Sequence, residues 1–268
     1  PNLAIITSMD ADHLDIYDDH KGLQASFQEF IDWIQSNGKL LIKSGLEKNI
    51  KTELQVYTYS ITHSKADFYI ENLQLMNGIY HFDIHGPSLF IKHAQLQMPG
   101  LVNIENALAA AAISHLGGEQ KEMIRHALST FKGVKRRMEY IIKRDDLVYL
   151  DDYAHHPEEL RASITSVKAL YPSQKIIGIF QPHLFSRTKD FVDGFAESLS
   201  QFDEILLLEI YPARELPIEG VNAELILHKT TLAERHLFTK NEVLAQVRAK
   251  MPELLLTVGA GDIDTLVE

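Results

Sequence analysis

The sequence predicts an α/β protein of two domains, because three features of its pattern agree. Short apolar segments of strand length alternate with amphipathic helices along the 268 residues. The length is about twice the roughly 100–150 residues that are commonest for one domain. Near residue 136 the pattern changes to a regular repeat of strand and helix. We therefore expect one domain over residues 1–135 and a second over residues 136–268.

The first half is predicted to contain a strand, a helix, a patch of short strands and two more helices. The segment LAII (3–6) predicts the opening strand, and apolar side chains at helical spacing from Leu23 to Ile34 predict a helix that ends before Gly38. Between residues 39 and 98, segments such as LQVYTYSI and IYHFDIHG alternate apolar and polar side chains, which predicts a small antiparallel patch. The run 106–116 and the apolar face of 123–131 predict two packed helices.

The second half is predicted to be a doubly wound, mostly parallel, Rossmann-like sheet. Four apolar segments have the length of buried strands, namely LVYL (147–150), KIIGIF (175–180), EILLLEI (204–210) and LLLTV (254–258). A helix begins at Pro157, whose fixed φ suits a first helical turn, and another has an apolar face over residues 191–199. Ligands bind such sheets beyond the carboxyl ends of the strands. Here those ends carry DDYAHHP, QPHLFSRT, YPARE and GAGD, which we expect to converge on one site.

Composition and charge exclude several classes of protein. Lysine and arginine number 26 against 37 aspartates and glutamates, and the resulting charge of −11 disfavours general binding to nucleic acid. Since cysteine is absent, disulfides, thiolate zinc sites and cysteine nucleophiles are excluded. No apolar run reaches the roughly 18 residues of a membrane span, and the first residues lack the features of a signal peptide. We expect a cytoplasmic protein, and the opening on Pro1 directly before a strand predicts a fragment of something longer.

A polar cluster follows the opening strand. Asp10, Asp12 and Asp15 supply hard oxygen donors and His13 supplies an imidazole. These groups at a strand end are typical of a Mg²⁺ site near phosphate. The alternative is a solvated turn with a helix cap, which is the commoner fate of an acidic cluster.

The strongest local signal comes from Asp151, Asp152, His155 and His156. The paired carboxylates suit a ribose or a cation, and the histidines suit a substrate carboxylate or acid–base chemistry near neutral pH. The alternative is that His156 caps the following helix and Asp151 is structural. A zinc hydrolase is disfavoured, because adjacent histidines point apart and no third ligand has zinc spacing.

Arginines stand at two further candidate anion-binding positions. His183 and Arg187 follow a strand and precede a helix, where the helix amino end and a guanidinium together suit an anion. Arg136 and Arg137 lie near the predicted domain junction, where they reach a nucleotide phosphate or form ordinary surface ion pairs. VGAGD (258–262) is not a dinucleotide fingerprint, because Asp264 replaces the third glycine. The Walker A and Gly-x-Ser-x-Gly patterns are absent.

Seven segments, taken in order along almost the whole chain, resemble the Mur ligase family. They are TSMDADHLDIY (7–17), MPGLVNIENALAA (98–110), FKGVKRRMEY (131–140), LDDYAHHPEEL (150–160), FQPHLFSRT (180–188), EIYPARELPIEGV (209–221) and VGAGDI (258–263). DDYAHHP together with FQPHLFSRT is most similar to the member that adds L-alanine.

The resemblance implies a three-domain enzyme of peptidoglycan synthesis, of which this chain holds a truncated central ATPase domain (1–135) and the carboxy-terminal amino-acid domain (136–268). In the family, ATP phosphorylates the carboxylate of UDP-N-acetylmuramate with Mg²⁺ present, the amine of L-alanine attacks the acyl phosphate, and phosphate leaves. The family's phosphate-binding loop with its lysine, and a central glutamate that helps to hold Mg²⁺, do not occur in this sequence. We therefore expect the fragment to be inactive alone.

The resemblance also implies roles for residues at matching positions. On the ATP side, His13 is expected to bind Mg²⁺ and Asn103 to contact the nucleotide. Asn106 is expected to contact the adenine, Arg137 a phosphate and Asp152 the ribose. On the alanine side the expected substrate-binding residues are Tyr153, His155, His183 and Arg187, of which His155 and Arg187 are also expected to be catalytic.

This sequence departs from the family at three positions. Val102 stands where many relatives have histidine, and Leu184 where several have arginine, so Arg187 is expected to act alone there. Gln28 lies near the modified lysine of ligases for later amino acids, which agrees with an alanine-adding enzyme. Two other functions stay open: a metal-dependent phosphohydrolase built on the histidine loops, and a non-catalytic ligand-binding module of the same fold.

Overall fold

The structure is a computed structural model that describes residues 1–9, 20–76 and 78–266. The chain forms two compact units, one of Pro1–Gln97 with Leu101–Lys132 and one of Met98–Gly100 with Gly133–Glu268. Within the described ranges, no helix combines the length and apolarity needed to cross a membrane.

The first unit is built on a six-stranded sheet in sequential order. Its strands and first helix are β1 (Leu3–Ile6), α1 (His20–Asp32), β2 (Lys39–Lys43), β3 (Gln55–Ser60), β4 (Phe68–Met76), β5 (Ile79–Gly86) and β6 (Leu89–Leu96). Pairing is parallel from β1 to β4 and antiparallel from β4 to β6. The apolar side of α1 packs with β1 and β2 in a core that includes Ile31, Leu40 and Ile42.

The predicted antiparallel patch is therefore smaller than residues 39–98. The segment LQVYTYSI does form a strand, β3, but β3 pairs parallel with both of its neighbours. Alternation of apolar and polar side chains reports which face is buried, and it carries no information about strand direction. The antiparallel part is confined to the hairpins of residues 68–96.

Two helices complete the first unit, α2 (Leu101–Leu116) and α3 (Lys121–Thr130). The helix α2 begins five residues before the alanine-rich run that predicted it, because Ile104 already belongs to the buried face with Ala107 and Leu108. Asn103 and Asn106 consequently lie in the first two turns of a helix, three residues apart and on one side of it.

The second unit is the doubly wound sheet that the sequence predicts. Its elements are β7 (Glu139–Lys143), β8 (Val148–Asp152), α4 (Pro157–Leu170), β9 (Ile176–Phe180), α5 (Phe185–Asp190), α6 (Val192–Leu199), β10 (Glu204–Leu208), α7 (Glu224–Lys229), β11 (Arg235–Phe238), α8 (Lys240–Lys250) and β12 (Leu254–Val258). The strand order is β11-β10-β9-β12-β8-β7, and only the edge strand β7 is antiparallel. The predicted α/β fold class is confirmed.

Separate apolar clusters cover the two faces of this sheet. Leu160, Phe180 and Phe195 belong to the larger cluster, while Leu206 and Val243 belong to the smaller one on the other face. Strands buried on both faces explain why the sequence shows nearly continuous apolar runs there. The loops after β8, β9, β10 and β12 therefore leave the sheet at one edge, which is the edge that carries the candidate site.

Candidate functional site

The four polar loops of the second unit meet at the carboxyl edge of its sheet. The His155 and His183 rings, from the loops after β8 and β9, lie 6.2 Å apart between centroids. Tyr211, from the loop after β10, stacks on His183 at 5.7 Å with ring planes 16° apart. The backbones of these two loops also pair, since the Leu184 amide donates to the Tyr211 carbonyl at 2.9 Å.

The loop after β8 is held rigidly by the start of α4. The Glu159 carboxylate accepts hydrogen bonds from the amides of His155 at 2.9 Å and His156 at 3.2 Å. His155 is further fixed by a ring nitrogen, Nδ1, 2.9 Å from the Tyr153 carbonyl oxygen. The His156 ring instead packs against Phe191, with centroids 4.7 Å apart. The two adjacent histidines thus point apart, and His155 is the one that faces the cluster.

His183 and Arg187 each keep a buried polar atom without a hydrogen-bond partner in the described part of the chain. These atoms are His183 Nδ1 and Arg187 Nη1. Burial and the nearby charges of Arg187 and His155 lower the pKa of His183, and the Glu215 carboxylate opposes them. An imidazole that is neutral near pH 7 accepts a proton or a hydrogen bond, and a free guanidinium edge binds a carboxylate.

Glu215 occupies the helix end where the sequence predicts a bound anion. Its carboxylate accepts hydrogen bonds from the Ser186 amide at 3.0 Å and from the Ser186 hydroxyl. Burial acts to raise the pKa of Glu215, but these bonds, with another from the Phe185 amide and the nearby His183, lower it overall. The amino end of α5 therefore already carries an internal anion. The prediction that this helix end binds an anion together with Arg187 is wrong, and Arg187 alone is open.

Asp152, the predicted ribose contact, is buried beneath the same edge. One carboxylate oxygen accepts from the Ala154 amide at 3.1 Å and the other from the Ser163 hydroxyl at 2.9 Å. Burial raises the pKa of Asp152 to about 6, and these hydrogen bonds partly offset that effect. With 6% of its surface exposed, Asp152 fixes the turn from β8 into α4.

Two adjacent arginines differ sharply in surroundings. Arg136 points inward: its Nε lies 3.4 Å from Asp151 Oδ2, and its Nη atoms donate to the carbonyls of Gly259 and Gly261. Arg136 is therefore already paired within the second unit, and its contact with a nucleotide phosphate stays a prediction. Arg137 is exposed, with its guanidinium carbon 5.4 Å above the centre of the Tyr153 ring. Arg137 and Tyr153 line an open pocket together with Lys135 and Arg136.

Tyr153 joins the two predicted sides of the site. Its ring lies beneath Arg137 and also meets the His155 ring edge-on, with centroids 5.2 Å apart. The prediction placed Tyr153 only with the alanine residues. In the structure it contacts both that group and the basic pocket.

The glycines of VGAGD serve close packing of the loop after β12. A Cβ on Gly261 would stand 2.5 Å from Gln181 Oε1 and 2.8 Å from the Tyr211 Cβ, and Gly259 has a φ of +144°. Side chains at either position would separate this loop from Gln181. The loop carbonyls hold Arg136, so the segment belongs to the scaffold of the site.

The remaining predicted residues belong to the first unit or lie outside the described ranges. Asn103 is half-buried and Asn106 is exposed on α2, beside an ion pair of 2.8 Å between Lys43 and Glu105. Gln28 donates to Asp32 and to the Lys51 carbonyl, which ties α1 to the 50–54 segment. His13, with Asp10, Asp12 and Asp15, lies outside the described residues.

Within the described ranges one group has metal-ligand proximity, formed by Glu204, Glu234 and His236. It lies at the amino end of β10, opposite the edge just described, since Ile205 pairs with Arg235. Lys250 Nζ stands 2.8 Å from the Glu204 carboxylate and neutralises it.

The chain matches models of two domains of one enzyme family. Residues 1–114 match the Mur ligase middle domain, and residues 136–263 match the domain described as Mur ligase, glutamate ligase domain.

Two curated relatives match along the entire chain. The chain is 48% identical over 272 residues to a UDP-N-acetylmuramate–L-alanine ligase of Parabacteroides distasonis. It is 46% identical over 267 residues to the ligase of the same name from Flavobacterium psychrophilum. Both matches cover 100% of this chain and 58% of the relative, so the chain spans little more than half of their length.

Two solved structures share the fold of this chain. The crystal structure of UDP-N-acetylmuramate-alanine ligase MurC from Thermotoga maritima has a TM-score of 0.80 at 25% identity, covering 100% of this chain and 58% of that one. A Mycobacterium tuberculosis folylpolyglutamate synthase complexed with ADP and AMPPCP has a TM-score of 0.75 at 15% identity, covering 99% and 62%. This second likeness shows the shared fold alone.

Proposed function

The chain belongs to the Mur ligase family, and we propose that it forms part of an ATP-dependent ligase that joins L-alanine to the carboxylate of UDP-N-acetylmuramate in peptidoglycan synthesis. The observation that carries the proposal is identity of 46–48% along the entire chain to two enzymes of that name. The cluster of His155, His183 and Arg187 supports it, because its free groups suit a small amino acid.

The proposed reaction has two steps. The terminal phosphoryl group of ATP passes to a carboxylate oxygen of the muramic acid, which gives an acyl phosphate and ADP. The amine of L-alanine then adds to the acyl carbon, and the tetrahedral intermediate expels phosphate as the C–N bond is retained. One proton leaves the amine nitrogen in this step. The protein contributes mainly by positioning the reactants and balancing their charge.

On the alanine side, Arg187 binds the carboxylate through its guanidinium, whose Nη1 has no partner in the described part of the chain. Removing a carboxylate from water requires such a paired cation, and a planar guanidinium offers two parallel N–H donors. The neutral His183 ring accepts a proton or a hydrogen bond from the amine, while His155, fixed by the Tyr153 carbonyl, orients the same end. Tyr153 closes the cluster by contact with His155.

On the ATP side, Arg137 contacts a phosphate and Asp152 the ribose. Asn103 contacts the nucleotide and Asn106 its adenine. Arg137 is exposed and stacked on Tyr153, so its charge is free for a ligand. Each Asp152 oxygen has a lone pair beyond the bond it accepts from within the loop. Mg²⁺ neutralises phosphate charge when bound, and we propose His13 as one of its ligands.

The test is phosphate release by the longer protein that contains this chain. With ATP, Mg²⁺ and UDP-N-acetylmuramate present, we expect release only when L-alanine is added. Release of equal size without the amino acid contradicts a ligase and favours a phosphohydrolase. We also propose that the 268-residue chain alone releases none, since its sequence lacks a glycine-rich loop ending in Lys-Thr or Lys-Ser. Turnover by that chain alone overturns this second proposal.

A further inference from the structure

The loops after β9 and β10, at the carboxyl edge of the second sheet, contact each other at two places. At one end the backbones pair, because the Tyr211 amide donates to the Pro182 carbonyl at 2.8 Å and the Leu184 amide donates to Tyr211 at 2.9 Å. At the other end the Glu215 carboxylate holds the amide and the hydroxyl of Ser186. Segment 211–215 is thus attached to segment 182–186 at both of its ends.

The groups with free, buried polar atoms lie within or directly after this attached stretch. His183 Nδ1 lies between the two attachments, and Arg187 Nη1 belongs to the residue that follows Ser186. Tyr211 stacks on the His183 ring from the attached segment. The directions of both open groups therefore depend on contacts made by segment 211–215.

We propose that Glu215 is a positioning residue for the incoming amino acid, because its carboxylate anchors segment 211–215 on Ser186 and so fixes His183 and Arg187. The inference rests on the proposed function and assigns a task to a residue outside the set expected from the family. Glu215 does not touch the substrate in this account. It acts through the loop that carries the imidazole and the guanidinium.

Glu215 also supplies a negative charge to a positively charged cluster. The groups that face His183 are Arg187, His155, Glu215 and the Tyr211 ring. Arg187 and His155 lower the pKa of His183, and Glu215 alone among the charges raises it. Without Glu215 the pKa of His183 moves further down. Because this effect acts through space, it reports that the Glu215 carboxylate is held beside the His183 ring.

The first experiment measures kinetics of the longer protein with Glu215→Gln. The amide keeps the size of the side chain and loses its charge, so the two bonds from Ser186 weaken. We expect the KM for L-alanine to rise by about tenfold, as the loss of a charge-assisted hydrogen bond implies, with the KM for ATP unchanged. Glu219→Gln is the matched control, because Glu219 lies in the same loop and is exposed. Equal rises for both substrates, or none, overturn the proposal.

The second experiment follows the His183 imidazole by NMR across pH in the 268-residue chain, with the signal assigned by His183→Gln. We expect a lower pKa of His183 in Glu215→Gln than in Glu219→Gln. An unchanged pKa overturns the proposal. If Glu215→Gln fails to fold, Ser186→Ala removes one anchor bond and must raise the KM for L-alanine by a smaller factor. If the longer protein does not use L-alanine, the proposed function fails, and the imidazole titration still tests whether Glu215 holds its carboxylate beside His183.

Discussion

Replacing Arg136 by methionine tests whether the buried arginine holds the edge of the second sheet together. The Arg136 side chain is 13% exposed and pairs with Asp151, of which 1% is exposed. It also donates to the carbonyls of Gly259 and Gly261. Arg136→Met keeps most of the side-chain volume and removes every one of these interactions.

The expected loss of unfolding free energy follows from the Asp151 charge that the substitution leaves without Arg136. Removing one partner of a buried ion pair costs about 3–5 kcal/mol, because the other charge stays buried and unpaired. Two features reduce the loss here. Thr257 still donates to the Asp151 carboxylate, and burial already raises the pKa of Asp151, which eases its protonation. We therefore expect the free energy of unfolding to fall by about 3 kcal/mol, at the lower end of that range.

The assay is urea unfolding of the 268-residue chain at pH 7, with Arg144→Met as the control. Arg144 also pairs with an aspartate, Asp146, but the two side chains are 61% and 73% exposed. An exposed pair contributes about 0–1 kcal/mol, so the control should stay close to the unchanged chain. Similar losses in the two variants, or a loss under about 1 kcal/mol for Arg136→Met, refute a structural role for the buried pair.

Three further outcomes are expected. Burial raises the pKa of Asp152 from its ordinary value of 3.8 to about 6 in the folded chain, so the folded state holds this proton more tightly. Its contribution to the unfolding free energy then falls by about 3 kcal/mol as pH rises from about 4 to about 6. Asp152→Asn should remove that part of the slope in urea unfolding, and an unchanged slope contradicts the assignment. Gly261→Ala should lower the unfolding free energy by about 1–3 kcal/mol through contact with Gln181, and a melting temperature equal to that of the unchanged chain opposes this. Arg187→Ala in the longer protein should raise the KM for L-alanine by about 10–100-fold with the KM for ATP retained, whereas Arg161→Ala should change neither.

The second sheet was predictable because its strands are buried on both faces. Continuous apolar runs identify such strands and their parallel pairing without any alternation. The edge strands β7 and β11 were missed, since their residues are only partly buried and the apolar signal is correspondingly weak. The direction of β3 was predicted wrongly, because alternation is the same in parallel and antiparallel strands.

At the site, strand-end position predicted the histidine loops, but it did not distinguish neighbouring residues. Arg136 and Arg137 are adjacent in sequence, and the inward direction of Arg136 depends on a backbone turn with a φ of +60°. Glu215 was missed because segment 209–223 has no helix or strand period. The sequence indicated Glu215 only through the position of YPARE after a buried strand. Loops at the carboxyl ends of parallel strands lie at the ligand-binding edge of the sheet.

The product formed by the longer protein tests the central claim most directly. UDP-N-acetylmuramate, ATP and Mg²⁺ are incubated with an equal mixture of L-alanine, glycine, L-serine and D-glutamate, and the nucleotide sugar is analysed by mass spectrometry. We predict that its mass increases by one alanyl residue and that one phosphate is released for each product. A product carrying another amino acid, or phosphate release with no gain in mass, contradicts the account.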